Sequence, residues 1–227
     1  MMARRGVLGV LAGGATALLS GCGLFGGNSY RFRMTVEVDT PQGLNTGSSV
    51  YAVRGFTTSD LLTGGTSSDT QFKGEATMVD LGNGRVLFAL LRMANGTSSD
   101  DNLAIMSMKA MDPAYANNKK DSAQRIASGN GITSPAEVAP KDYPLLVTFG
   151  DMQNPTSVTR VDPTNLAASF GPGVRLKRIV VEVTDDDVTT GIEERLGWLD
   201  DMWNHDINRD GPFYKRFPSE TQFLQRK

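Results

Sequence analysis

From Tyr30 to Asp39 the chain alternates without a miss. Tyr30, Phe32, Met34, Val36 and Val38 are apolar, and Arg31, Arg33, Thr35, Glu37 and Asp39 between them are polar or charged. A period of two puts the sets on opposite faces of a pleated strand, so the segment must lie with one face on a core and the other in water. Such a strand needs a partner. Pro41-Gln42-Gly43 is a turn signal, and residues 48–56 offer Val50, Ala52 and Phe56 as the return strand, which predicts an antiparallel pair over residues 30–56. Residues 57–70, rich in Thr, Ser and Gly, are expected to form an exposed loop. A second hairpin is expected where residues 75–81 and 85–92 flank Asn83-Gly84, a pair that accepts the positive backbone angles of a type I′ turn. Residues 86–91 are apolar without a break, as in a strand covered on both faces.

The pattern changes after Asn95. Helix-start residues at 96–101 precede Leu103, Met106 and Ala110, a one-faced apolar series, and residues 119–128 form a second helix candidate ended by Gly129-Asn130-Gly131. Residues 135–144 read as an extended crossing. Strands are expected at 145–149 and 158–161, with a short helix at 164–170 capped by Asp162-Pro163. In Val174, Leu176, Ile179, Val181 and Val183 the alternation slips by one residue at Lys177-Arg178, as a bulge would cause. Asp185-Asp186-Asp187 then precedes Val188, Ile192, Leu196, Leu199 and Trp203, which fall on one helical face. The expected fold class is α+β: one antiparallel sheet with several short helices packed on it, then a C-terminal helix and tail. Residues 30–203 would be a single domain, and 204–227 a polar and aromatic tail.

Ahead of that body, Arg4 and Arg5 precede an uncharged run over residues 6–19, the length of a signal h-region and short for a membrane span. Leu19-Ser20-Gly21-Cys22 closes it. This tetrapeptide resembles the lipobox of bacterial lipoproteins, in which a branched apolar residue and two small residues precede an invariant Cys. The resemblance implies that Cys22 receives a diacylglyceryl thioether, that cleavage follows Gly21, and that the new amino terminus is acylated. It makes residues 1–21 a signal peptide and residues 22–29 the lipidated Cys with its flexible tether. It also implies a periplasm-facing site in the cell envelope. Gly23, in place of the Asp that retains related lipoproteins at the inner membrane, points to the outer membrane.

The competing readings are an ordinary buried thiol at Cys22 and an uncleaved anchor over residues 6–30, but eight glycines in that stretch make a poor membrane helix. The Arg4-Arg5 pair lacks the rest of a twin-arginine pattern. Residues 1–21 hold two of the 23 Lys and Arg and none of the 25 Asp and Glu, so the remainder carries a formal −4. That mildly acidic balance leaves anchoring to lipid rather than to a polybasic patch, and it lacks the basic stripe that nucleic-acid binding requires. Beyond the box, the body resembles a group of small uncharacterised bacterial lipoproteins in Thr40-Pro41-Gln42-Gly43, in Gly47-Ser48-Ser49-Val50, in Val79-Asp80-Leu81-Gly82-Asn83-Gly84-Arg85 and across residues 162–195. That resemblance brings no activity with it.

The chemistry the chain lacks narrows its function. One Cys cannot close an internal disulfide or build a thiolate metal cage, and one His, His205, excludes multi-imidazole sites. Nucleophile-elbow, phosphate-loop, dinucleotide and zinc-protease motifs are all missing. His205 has Asp200, Asp201, Asp206 and Asp210 nearby in sequence to orient it, which keeps an envelope hydrolase as an alternative, but no neighbouring Ser or Cys stands out as its nucleophile. Glu193 and Glu194, being adjacent, point to different sides of a helix and do not form an acid/base pair.

Asp206-Ile207-Asn208-Arg209-Asp210-Gly211 reproduces the first six positions of an EF-hand loop, so Asp206, Asn208 and Asp210 are candidate calcium ligands. The closing position is Phe217, Pro212 follows the Gly, and Glu220 comes three residues late. The competing reading is an Asx-rich turn. No other cofactor is called for. Trp198, Trp203, Phe213, Tyr214, Phe217 and Phe223 crowd into 26 residues, either to wrap onto the core or to dock another envelope protein. The reading that needs no catalytic group is a lipid-anchored envelope module that binds or supports.

Overall fold

The computed structural model describes residues 28–59, 64–95, 102–199 and 223–225. In chain order it contains β1 (Ser29–Thr40), β2 (Gly43–Ser59), β3 (Thr66–Glu75), β4 (Thr77–Asp80) and β5 (Val86–Met93), then α1 (Leu103–Met111) and α2 (Lys119–Ser128). After these come β6 (Ala136–Glu137), β7 (Pro144–Phe149), β8 (Val158–Arg160), the single turn α3 (Ala167–Phe170), β9 (Arg175–Val183) and β10 (Leu224–Gln225). The fold is α+β, but the strands divide into two antiparallel sheets where one was expected. Their orders are β10-β3-β2-β1-β9-β6 and β4-β5-β7-β8.

β1 lies near the middle of the larger sheet, and its five alternate apolar side chains are all buried. Around the Pro41-Gln42 turn β2 pairs back along it, from Thr40 opposite Gly43 to Ser29 opposite Arg54. On the other side β9 pairs Arg178 with Glu37 but Leu176 with Val38, so Lys177 is the extra residue of the expected bulge. The second hairpin forms as read, with Asn83 and Gly84 both at positive φ. The two sheets meet where β2 crosses β4. A Cβ on Gly47 would lie 1.9 Å from the Met78 carbonyl oxygen, so only glycine permits that approach.

β5 is the wall between two hydrophobic cores, which is why its sequence is apolar on both faces. Leu87, Ala89, Leu91 and Met93 line the larger core, where Phe32, Tyr51 and Phe72 stack at 5.0 and 5.5 Å. Val86, Phe88 and Leu90 line the smaller one, with Phe149, Ile192, Leu196, Leu199 and Phe223. α1 touches β5, β6 and β9. It is therefore buried nearly all round, at Leu103, Ala104, Ile105, Met106, Ser107, Met108 and Met111, rather than on one face. α2 matches its expected bounds, with Asn118 accepting from the Asp121 N–H at its start and Gly129 left-handed at its end.

Four local expectations are corrected. Residues 57–59 and 66–70 are not loop: β2 and β3 pair from Phe56 opposite Asp69 to Ser59 opposite Thr66, and Thr58 bonds Ser67 across them; residues 60–63 lie outside the described residues. Cross-strand hydroxyl pairs of this kind suit Thr and Ser to a strand. Residues 135–144 hold β6, paired with β9, and a 3-10 turn at Pro140–Asp142. The helix expected at 164–170 shrinks to α3, because Asp162 accepts from the Thr164 N–H and hydroxyl in a local turn. The helix expected from Val188 does not start there; residues 188–191 are irregular and a 3-10 turn follows at Ile192–Glu194.

Candidate functional site

Cys22, His205, Asp206, Asn208 and Asp210 lie outside the described residues, as do Trp203, Phe213, Tyr214 and Phe217. Glu193 and Glu194 stand on the 3-10 turn rather than on a helix. Among the described residues no three His, Cys, Asp or Glu side chains come together as a metal cage requires.

Apart from Ser122 Oγ, which is buried without a hydrogen-bond partner, the buried polar side chains of the described body are engaged in holding it together. Asp112 closes the C-terminal end of α1 with its side chain fully buried, and it accepts from Arg125 Nε at 3.1 Å, Arg125 Nη2 at 2.7 Å and the Ala114 N–H at 3.0 Å. Burial by itself would raise the Asp112 carboxyl, but the Arg125 guanidinium and the Ala114 N–H outweigh it and hold the group below the usual range. Ser107 Oγ donates to the Ala104 carbonyl at 2.9 Å, which leaves it to accept from the Tyr30 phenol at 2.8 Å. Tyr51 meets Thr77 Oγ1 at 2.8 Å. Burial pushes both phenols well above their usual range, so neither is a source of phenolate.

Beyond Val183 the chain crosses the outer face of the larger sheet as a strap. Asp186 pairs with Arg33, and Asp187 with Arg31 at 3.0 Å, both arginines rising from β1. Thr189 then bonds the Val50 N–H and carbonyl, along the edge of β2 that β3 leaves free as it bends away to β4. Glu75, itself buried, accepts the Gly191 and Ile192 N–H groups at 3.1 and 2.8 Å. The acidic run expected to cap a helix is thus taken by arginines some 150 residues away in sequence. Arg31 and Arg33 standing on the same strand face were the signal for it.

Further along that face two more carboxylates are paired. Glu37 meets Arg178 and Lys177 at 2.9 and 3.2 Å, and Asp39 meets Arg175 at 2.9 Å. Five cations and five carboxylates neutralise one another across the face. No family model, curated protein or solved structure matches the chain. What the chain does must therefore be argued from its own residues.

One end of the larger sheet is distinguished by what enters it. The segment leading from Cys22 joins the body there: the Asn28 carbonyl accepts from the Gly55 N–H at 2.9 Å, and β1 begins at Ser29. Because Arg54 lies opposite Ser29, residues 55–59 and their β3 partners project past the start of β1 as a two-stranded arm. Residues 57–59 and 66–67 are exposed, Phe56 is half-buried, and the charge described on the arm is Asp69, opposite Phe56 and paired with Lys119 at 3.4 Å. α2 braces only the base, with its Lys120 N–H donating to Ser68 Oγ at 2.7 Å.

Proposed function

We propose that the protein is a lipoprotein of the bacterial cell envelope, exported by residues 1–21 and held at the periplasmic side of a membrane by acyl chains on Cys22. The observation that carries this reading is Leu19-Ser20-Gly21-Cys22 at the close of an uncharged run behind Arg4-Arg5. β1 begins seven residues after Cys22, which leaves room for a short tether and no further domain between lipid and body. Each buried methylene contributes about 0.8 kcal/mol, and two or more chains hold a protein stably without help from surface charge. Gly23 favours the outer membrane. No described helix is long and apolar enough to cross a bilayer.

The body is proposed to bind or support another envelope protein, not a nucleic acid, and not to catalyse. Its buried ionisable groups are used in packing, and the carboxylates of β1 on its outer sheet face are taken up by cations of β9. The hydrolase reading through His205 and the calcium reading through Asp206, Asn208 and Asp210 rest on residues outside those described. The test is mass spectrometry of the protein from a detergent-phase membrane extract. The expected amino-terminal peptide starts at Cys22 and carries the mass of the acyl groups, and Cys22→Ser leaves an uncleaved, unlipidated precursor. A wild-type chain that keeps residues 1–21 and a free thiol would sink the reading.

A further inference from the structure

Sheet edges present main-chain N–H and C=O groups that pair with any strand brought alongside, and folded chains cover them or guard them with charge or proline. The larger sheet is guarded along β3. There Asp69 accepts from the Thr70 N–H at 2.7 Å and meets Lys119 at 3.4 Å, and β10 covers the edge at Gly74 and Glu75. β2 differs. Its pairing with β3 begins only at Ala52, so residues 44–50 have β1 on one side and no strand of the larger sheet on the other. At Val50 the strap takes that side: the Val50 N–H donates to Thr189 Oγ1 at 2.9 Å, and the Thr189 N–H donates to the Val50 carbonyl at 3.1 Å.

In an antiparallel strand the N–H and C=O of one residue point to the same side, and that side alternates along the chain. Ser48, Thr46 and Leu44 therefore turn their main-chain groups the same way as Val50, past the contact that the strap makes. Among the described residues none bonds them there, because β4 crosses beneath Gly47 rather than pairing with β2. All three side chains are exposed, and Leu44, at 51%, is the more exposed of the two large hydrophobics that the described body shows to solvent. The usual guards are missing. From Thr40 to Val53 no residue is charged, and Pro41 stands in the turn rather than on the edge.

The lack of charge bears on which partner fits. A different protein can meet a charged edge with opposite charge, whereas a two-fold axis sets the central residue against its own copy and so rejects charge there. Leu44-Asn45-Thr46-Gly47-Ser48 meets that condition. Two copies brought together antiparallel about Thr46 set Thr46 opposite Thr46, a hydroxyl pair of the kind that Thr58 and Ser67 make within the body, and each Leu44 opposite a Ser48. Three facing pairs with two bonds each give about six main-chain hydrogen bonds, and Leu44 gains cover. We infer that residues 44–48 of β2 are a homodimer edge, joining the larger sheets of two copies of this chain about a two-fold axis at Thr46. Such an edge is the same whether or not Cys22 is acylated, so the pairing does not depend on the lipoprotein reading.

The test is oxidation of the full chain in intact expressing cells. Thr46→Cys puts a thiol at the axis, where the Cα atoms of a hydrogen-bonded pair stand about 5.5 Å apart, within disulfide range. Gln124→Cys, on the exposed side of α2, is the control. Thr46→Cys should form several-fold more disulfide-linked dimer than Gln124→Cys. Adding Ser48→Pro removes an N–H on the free edge and none that bonds β1, so it should lower the dimer to the control level with the urea midpoint unchanged. Where Ser48→Pro lowers that midpoint, the comparison of the two Cys positions decides by itself. Equal dimer at 46 and 124 overturns the inference, as does dimer at 46 that survives Ser48→Pro in a folded chain. The wild-type chain should give none; dimer there marks a free thiol at Cys22, overturns the lipoprotein reading, and moves the same comparison into Cys22→Ser chains.

Discussion

The two cores share the strand β5 but are closed in different ways. The larger is walled by β1, β2 and β9 and filled by α1 and α2, which follow each other closely in the chain. The smaller, on the opposite face of β5, is closed by Ile192, Leu196, Leu199 and Phe223, which arrive from the far end of the sequence. Phe223 is wholly buried, its carbonyl accepts the Ala76 N–H, and Leu224 pairs with Glu75 at the sheet edge. Closure by distant segments costs more chain entropy than closure by neighbours, so the smaller core should open first.

Truncating one ring in each core tests that order. Phe32→Ala removes a fully buried ring stacked 5.0 Å from Tyr51, and a loss of about 4–5 kcal/mol is expected in urea unfolding followed by far-UV circular dichroism. Phe223→Ala removes a ring that meets Trp198 edge-on at 5.8 Å and Phe149 at 6.1 Å, with an expected loss of about 3 kcal/mol. Trp198 packs against the smaller core, so in a Trp203→Phe background its fluorescence reports on that core. For Phe223→Ala the fluorescence transition should precede the dichroism transition. Coincident transitions would make the two cores one cooperative unit and break the distinction.

The carboxylates at the two cores come next in size. Asp112 joins α1 to α2 beside the larger core, and Asp112→Ala should cost about 2–3 kcal/mol; Arg125, left without its partner, is one-third exposed and recovers some hydration. Glu75 ties down the strap that leads into the smaller core. Glu75→Gln leaves a single carbonyl oxygen for two N–H donors, with an expected cost of about 1–2 kcal/mol. Hydrogen exchange separates them: Glu75→Gln should speed exchange at Gly191 and Ile192 while leaving α2 protected. Uniform acceleration throughout the body would show that the strap is not a separate unit.

What the sequence made legible follows the same line. β1, the Asn83-Gly84 turn, the bulge at Lys177 and both ends of α2 were readable because each is decided by residues a few positions apart. The strap was not. Val188, Ile192 and Leu196 keep helical spacing, yet the backbone there is fixed by Glu75 and Val50, more than a hundred residues earlier. The split into two sheets was hidden for a similar reason, since Gly47 records the crossing of β2 over β4 only once Met78 is beside it. Residues 57–59 and 66–70 look like loop in the sequence because Thr and Ser serve both states and pairing decides between them. Of the candidate sites, the cysteine box was legible as a resemblance, while the entry of the tether beside Gly55 needed the fold.

The smallest effect is expected on the outer face. Glu37 is held below the usual carboxylate range, chiefly by the hydrogen-bonded Arg178 guanidinium, with Lys177 adding to it. Both cations are more than two-fifths exposed, so solvent and salt screen the cluster. Glu37→Gln should therefore cost no more than about 1 kcal/mol, and less as salt is added. The same sign governs Glu37 and Asp112. A carboxyl whose folded value is depressed contributes its full stability above its unfolded value and loses it as pH falls through the folded one. Wild-type stability should thus be flat in these groups near neutrality and decline below about pH 4. Removing Glu37 should flatten that acid limb slightly, and removing Asp112 should flatten it more. An acid limb unchanged by Asp112→Ala would mean that the Arg125 pair does not tie the helices as its geometry implies.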